Sequence, residues 1–277
     1  MSAEYKKVTV IEAGRKKPFL RELYSFRGLL YFLSLRDVLV RYKQTVLGIM
    51  WAIVRPFFTM IVFTTVFGKL AHFEEHSQAP YALVVFAGLL PWQFFSTAFQ
   101  QISDSFIQNS SLISKIYFPR IIIPLSSLIT SVVDLIISLF ILMGLMVYYN
   151  YIPDTRIFML PFFILLASFI SIGFGLFMAT FNVYYRDFRY IIPFCIQLGL
   201  YISPVGFSSD VIPEKWRFLY SLNPMVGVID GFRWCILKQD ISFYWPGLIT
   251  SIIFILIIFI IGLHAFRKME RTFVDRI

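Results

Sequence analysis

The sequence predicts an all-α integral membrane protein: six transmembrane helices, an N-terminal amphipathic helix at the membrane interface, and re-entrant outer helices between spans five and six. Three observations predict this. Of 277 residues, 58% are hydrophobic and only 15% charged, a balance outside the usual range of soluble domains. Six apolar stretches approach or exceed the roughly 20 residues that a helix needs to cross about 30 Å of hydrocarbon. Lysine and arginine alternate in density between successive loops. The same composition excludes intrinsic disorder, which needs low hydrophobicity, and a disulfide scaffold, since Cys195 and Cys235 are the only cysteines.

The elements follow in chain order, with residues 1–44 as a cytoplasmic segment and 45–277 as one membrane domain. In the first, Leu20, Leu23, Tyr24, Tyr31, Leu35, Val38 and Tyr42 recur at helical spacing. Arg21, Glu22, Ser25, Arg36 and Lys43 lie opposite, and Phe32 and Leu39 intrude on the polar face. Arginines and aromatics on one helix suit the cytoplasmic headgroups, as a generic anchor or as a docking surface for a partner. The spans are expected at 45–67, 81–101, 121–148, 158–182, 191–207 and 246–266. The first begins too far from the N-terminus for a cleavable leader and lacks a small-residue cleavage site, so it is expected to stay.

Between the second and third spans, Ser103 and Asp104 suit a helix start and Phe118-Pro119 suits a helix end, which predicts a short cytoplasmic helix and a turn. Residues 208–245 combine Pro213, Pro224, Trp216, Trp234 and Trp245 with the apolar run 224–229. Irregular backbone at membrane depth is tolerated only where protein or water covers it, which predicts two short helices folded back into the outer half of the bundle. Tryptophans at headgroup level account for the aromatics equally well. An even number of spans puts both termini on one side. That side holds 18 Lys and Arg, the other holds 6, and Arg55 falls inside the first span, so both termini are expected in the cytoplasm. The basic excess marks topology, and no nucleic-acid footprint is read from it.

Motifs that carry chemistry are sparse. No G-x-x-x-x-G-K-[ST] phosphate loop occurs, so no cofactor is expected on this chain and nucleotide hydrolysis is expected elsewhere. His72, His76 and His264 lack metal-ligand spacing. Acidic residues are scattered apart from Glu74-Glu75, which weighs against a membrane enzyme acting on polyprenyl-linked sugars, because a metal or general base would need clustered carboxylates. Arg55 and Asp134 fall at membrane depth, where a charge costs about 2.5–3.5 kcal/mol on insertion scales. Arg55 either meets an anionic phosphate or sugar in transit or extends to the cytoplasmic headgroups. Asp134 reads first as a hydrogen bond joining helices and second as a substrate contact.

Five strings recur in a familiar order: RYKQTVLGIMWAIVRP at 41–56, GLLPWQFFSTA at 88–98, LISKIYFPRIIIPLSS at 112–127, NVYYRDFRYIIPF at 182–194, and SPVGFSSDVIPEKWRFLYSLNPMVGVIDGFRW at 203–234. Together they resemble the polysaccharide-export permeases of the ABC-2 type of ABC transporter. The resemblance implies a homodimer in the bacterial inner membrane, driven by a separate cytoplasmic ATP-binding subunit that holds ATP and Mg. The implied cargo is a lipid-linked polysaccharide, with undecaprenyl-diphosphate-linked O-antigen first and teichoic acid or capsule as alternatives. It also implies that Lys115, Ile116, Tyr117, Phe118, Pro119 and Arg120 dock the ATPase, although Lys115 and Arg120 also serve simply as topology charges. Flat apolar faces pack against sugar rings without fixing any one of them, which makes Trp51, Phe57 and Phe58, beside Arg55, candidates for the substrate path. A purely structural membrane-assembly protein is the remaining alternative.

Overall fold

A computed structural model describes residues 23–43, 50–70, 79–237 and 244–270, and all regular structure among them is helical. Helix α1 is Arg27–Lys43, and α2 is Met50–Phe63, continued by the wider π-helical turns Thr64–Leu70. Helix α3 is Tyr81–Gln108, α4 the short Ser110–Lys115, and α5 Ile122–Tyr148. A 3-10 turn, Thr155–Met159, leads into α6, Leu160–Tyr184, followed by α7, Phe188–Ile202. The 3-10 turn Ser209–Val211 precedes α8, Glu214–Tyr220, then α9, Pro224–Ile236, and α10, Trp245–Glu270. The expected start of the first span at Thr45 lies outside the described residues, as do Leu20, Arg21, Glu22, His72, Glu74, Glu75, His76 and Lys238.

Local chemistry accounts for the helix ends. Asn223 caps α9 by accepting from the Met225 amide, and Pro224 sits at the first helical position, where its missing N–H costs nothing. Helix α5 stops at Asn150, which takes the left-handed conformation (φ 52°). The Tyr151 amide then bonds the Met146 carbonyl at 2.8 Å and the Asn150 amide the Val147 carbonyl at 3.1 Å, the pairing of a Schellman cap.

Five helical segments are long and apolar enough to cross a membrane: Met50–Gly68, Tyr81–Gln108, Ile122–Tyr148, Thr155–Tyr184 and Trp245–Glu270. The expected fifth span, 191–207, differs. Its helix α7 starts at Phe188 and stops at Ile202, and 15 residues reach only about 22 Å. The break falls at Ser203-Pro204, where proline disfavours a helical residue before it. The second span is longer than expected, because Ser103 and Asp104 lie within α3 and do not cap a new helix. The Ser103 hydroxyl bonds the Phe99 carbonyl at 2.7 Å, and Asp104 accepts from the Asn182 amide group on α6 at 2.9 Å. These partners satisfy both residues inside the helix, so it continues to Gln108.

Helix α3 is the centre of the molecule. Within its most apolar window 83% of residues are buried by protein, against 39% or less in the other four candidate spans. It packs on α5 and α6 and also meets α2, α7 and α9. Helix α10 lies against α6 and α9, and the outer faces of α2, α5, α6 and α10 present apolar side chains such as Phe58, Phe140, Phe162 and Ile260. Backbones touch where α6 crosses α10: a methyl group on Gly262 would lie 2.1 Å from the Gly173 carbonyl oxygen. Small residues let membrane helices approach closely enough for dispersion contacts to accumulate.

Helix α1 lies along α5 with a rotation different from the expected stripe. Leu33 and Ser34 are buried and Phe26, Leu29 and Leu30 pack against the core, whereas Tyr24, Tyr31, Leu35 and Leu39 are exposed. The rotation is set by polar partners on α5, described below. Replacing Gly262 by alanine is expected to lower the thermal unfolding temperature in detergent, with a cost of about 1–3 kcal/mol from overpacking. Gly144 on α5 has open space around it, and Gly144→Ala is expected to leave that temperature unchanged.

Candidate functional site

A cavity of about 590 Å³ opens between the C-terminal end of α1 and helices α2, α3, α5 and α7. Its chemistry comes from helical periodicity. Trp51, Arg55 and Thr59 are one turn apart on α2, Gln93, Ser96, Thr97 and Gln100 share one face of α3, and Ser131, Asp134 and Ser138 share one face of α5. Gln197 of α7 and Arg41 and Tyr42 of α1 complete the polar lining, with Trp92 and Leu200 among the apolar groups. Helices that are otherwise apolar thus turn polar stripes to one common space. An environment of two guanidiniums, amides, hydroxyls and indoles suits an anionic group attached to sugar rings.

Asp134 sits near the middle of α5 and receives α1. The Arg41 guanidinium forms an ion pair with its carboxylate, and the Tyr42 hydroxyl donates to the other carboxylate oxygen. Burial and the adjacent carboxylate push the Tyr42 hydroxyl well above its usual range, so it remains a donor. Further along α1, Arg36 donates to Asp37 at 2.7 Å and to the Asn109 side-chain oxygen at 2.7 Å, while the Ser126 hydroxyl of α5 reaches Asp37 at 3.4 Å. The attachment points Ser126 and Asp134 are eight residues apart, about 12 Å along α5. Helix α1 therefore runs beside α5 toward the middle of a candidate span, held by a polar seam.

The structure brings Arg55, Trp51 and Asp134 to the same cavity. Phe57 and Phe58 point to a different face of α2 and do not line it; both are exposed, with Phe58 at 59%. Around the expected ATPase-docking segment, α4 ends at Lys115, and Lys115, Ile116 and Tyr117 are exposed. Phe118 is buried, Pro119 is half-buried, and Arg120 turns back into the molecule, donating to the Glu270 carbonyl at the end of α10 at 2.5 Å. Burial lowers the Arg120 pKa, and the Glu270 carboxylate opposes that shift.

One functional-looking group escaped sequence reasoning. Arg233 on α9, counted there only as an outer cation, is 1% exposed. Its guanidinium donates to the carbonyls of Val84 at 3.3 Å, Val205 at 2.8 Å and Phe207 at 2.6 Å. Nearby, the Tyr81 hydroxyl bonds the Gly206 carbonyl at 2.5 Å. The guanidinium occupies the space that a side chain at Gly88 would need, 2.7 Å from the position of a methyl group there. The strings 88–98 and 203–234 thus meet at this point, and nothing in the spacing of either string marks the contact.

A planar guanidinium reaches three carbonyls that a single ammonium cannot. Arg233→Lys is therefore expected to destabilise the protein by about 3 kcal/mol or more, read from thermal unfolding, because a buried charge loses its geometry. For the α1 seam, Arg41→Ala and Asp134→Ala are expected to be non-additive, with a coupling of about 0.5–3 kcal/mol in a double-mutant cycle. An additive cycle contradicts direct pairing.

Comparison with known proteins covers all five strings. The family model described as ABC-2 type transporter matches residues 28–237, from the start of α1 through the end of α9. An O-antigen export system permease protein, RfbA, of Klebsiella pneumoniae is 26% identical over 89% of this chain and 94% of its own length. A protein of the same name from Myxococcus xanthus is 26% identical over 77% of this chain and 82% of its own length. The polysialic acid transport protein KpsM of Escherichia coli is 23% identical over 87% of this chain and 93% of its own length. With most of its length, its central helix and its cavity-lining helices inside the matched region, this chain is a multi-pass membrane permease that belongs to the ABC-2 type transporter family.

Proposed function

We propose that this permease exports a lipid-linked polysaccharide, with undecaprenyl-diphosphate-linked O-antigen as the first candidate cargo, across the bacterial inner membrane. The observation that carries the reading is the cavity lined in common by Arg41, Arg55, the Gln side chains of α3 and α7, Trp51 and Trp92. A phosphate-bearing sugar matches it in charge, in hydrogen-bonding capacity and in flat apolar surface. The names of the relatives support a polysaccharide cargo, and the polysialic acid transport protein keeps capsular polysaccharide as the second candidate.

In this reading the chain works as a homodimer with a cytoplasmic ABC ATPase, which the family implies and which holds ATP and Mg. Helix α7 serves as a short fifth span, α8 and α9 fold back as the outer re-entrant pair, and both termini face the cytoplasm. The exposed edge formed by Lys115, Ile116 and Tyr117 docks the ATPase, while Arg120 fastens the segment to α10. The ATPase can drive export only through a difference in binding to two arrangements of the spans.

Reconstitution with the partner ATPase tests this. Arg55→Glu is expected to reduce export of lipid-linked glycan at least about tenfold, roughly the loss of one charge-assisted hydrogen bond, with ATPase co-purification intact. Phe58→Ala is expected to export normally, because Phe58 is outside the cavity. Tyr117→Ala combined with Lys115→Glu is expected to release the ATPase from the purified complex while membrane insertion persists. Turnover of a lipid-linked sugar by the isolated chain, with no ATPase associated, decides for a membrane enzyme.

A further inference from the structure

We propose that the cavity selects a glycan whose sugars next to the diphosphate are uncharged, with Gln93, Gln100 and Gln197 as the residues that recognise their hydroxyl groups. The inference rests on the reading of the cavity as the substrate site and adds the chemical class of sugar that this site accepts.

The polar side chains of the cavity divide into those that the protein answers and those that it leaves open. Thr59, Ser96 and Ser138 turn their hydroxyls back onto carbonyls of their own helices, and Arg41 pairs with Asp134. Arg55 and the three glutamines differ. Among the described residues, none of these four side chains has a hydrogen-bond or ion-pair partner in the protein. Elsewhere on α3 and at its end the polar groups are answered: Ser103 by Phe99, Ser105 by Ile102, and Asn109 by Ser105 and Arg36. An amide among apolar helices is costly unless something bonds it. Three open amides on two helices, turned to one space, therefore mark a place where water or a ligand supplies the partners.

An amide both donates and accepts, so it matches a sugar hydroxyl, which does the same. Gln93 and Gln100 are two turns apart, about 10 Å along α3, and Gln197 lines the same space from α7, with Trp51 and Trp92 as flat apolar surface. Charge sets the selectivity. Among the described lining residues, Arg55 is the cation that no protein carboxylate or carbonyl answers, and a diphosphate takes it up. A carboxylate on a neighbouring sugar finds no second such cation, because Arg41 is held in an ion pair, and it meets the like charge of Asp134. A carboxylate taken from water without a partner is destabilised far more than a hydroxyl that an amide bonds. Neutral sugars therefore enter this space more readily than acidic ones.

The test uses the full chain with its partner ATPase in proteoliposomes and reads binding from retention of radiolabelled probes. The probes share one polyprenyl diphosphate: the lipid alone, the lipid carrying a neutral hexose trisaccharide, and the lipid carrying a trisaccharide of uronic acids. The neutral glycolipid is expected to bind at least about tenfold more tightly than the acidic one, the discrimination of a charge left without a partner. Gln93→Leu combined with Gln197→Leu is expected to weaken the neutral glycolipid about tenfold more than the lipid alone, since only the glycolipid carries the hydroxyls. Gln197→Arg, at an exposed position of α7, is expected to narrow the gap between acidic and neutral glycolipids, which a merely structural role of Gln197 does not do. That variant decides the matter if the double variant fails to fold. Equal binding of the neutral and acidic glycolipids by the wild type overturns the selectivity and leaves the cavity as a substrate site. Unchanged binding of the neutral glycolipid by a folded double variant overturns the role of the glutamines. Binding of the lipid alone by Arg55→Glu as tightly as by the wild type overturns the cavity reading, and the selectivity with it.

Discussion

Hydrocarbon offers no hydrogen-bond partners, and that constraint organises this molecule from its backbone to its charges. Helices satisfy the main chain within each segment. Serine and threonine hydroxyls in the spans turn back onto their own helices, as Ser103 does to Phe99, Thr130 to Ser126 and Ser171 to Ala167. Charges require partners from other elements. Arg233 finds three carbonyls, two of them in the irregular stretch after α7, and that stretch can lie against the bundle because the arginine answers its backbone. Asp134 is answered by α1, which draws an amphipathic helix up beside a candidate span.

Those pairings converge on α3. At its N-terminal end, Val84 and Tyr81 are tied to Arg233 and Gly206; at its C-terminal end, Asn109 is tied to Arg36 and begins α4. Pro91 removes one backbone hydrogen bond from the middle of the helix, yet the surrounding protein buries it on all sides and the helix continues. A buried rod of 28 residues thus joins the region around Arg233 to the start of α4. Movement at either end has a continuous physical path to the other, through packed side chains and named hydrogen bonds.

The two arginine sites differ in burial and in the kind of partner they use. The Arg233 site is closed, fully buried and built on backbone carbonyls, which suits a permanent fastening. The Arg41–Asp134 site is open to a polar cavity and uses side chains on both partners, so it stays part-exposed.

Much of this was legible in the sequence, because local patterns report the solvent of each segment. Apolar length identified the five helices long and apolar enough to cross a membrane but also counted the shorter 191–207, and the rarity of charge in the first and third spans singled out Arg55 and Asp134, which the structure brings to one cavity. Pairings between distant residues were not legible. The rotation of α1 depended on Asp134, more than ninety positions away in the chain for both Arg41 and Tyr42. The end of α3 depended on Asn182 answering Asp104, since Ser103-Asp104 alone has the chemistry of a helix cap. Arg233 looked like any loop cation until three carbonyls converged on it. Composition and periodicity therefore determined the class of protein and most of its long apolar helices, since each is a property of a short stretch meeting water or lipid. Tertiary structure decided which charges are closed in and which stay part-exposed, because burial and partner geometry exist only once helices far apart in sequence are packed together.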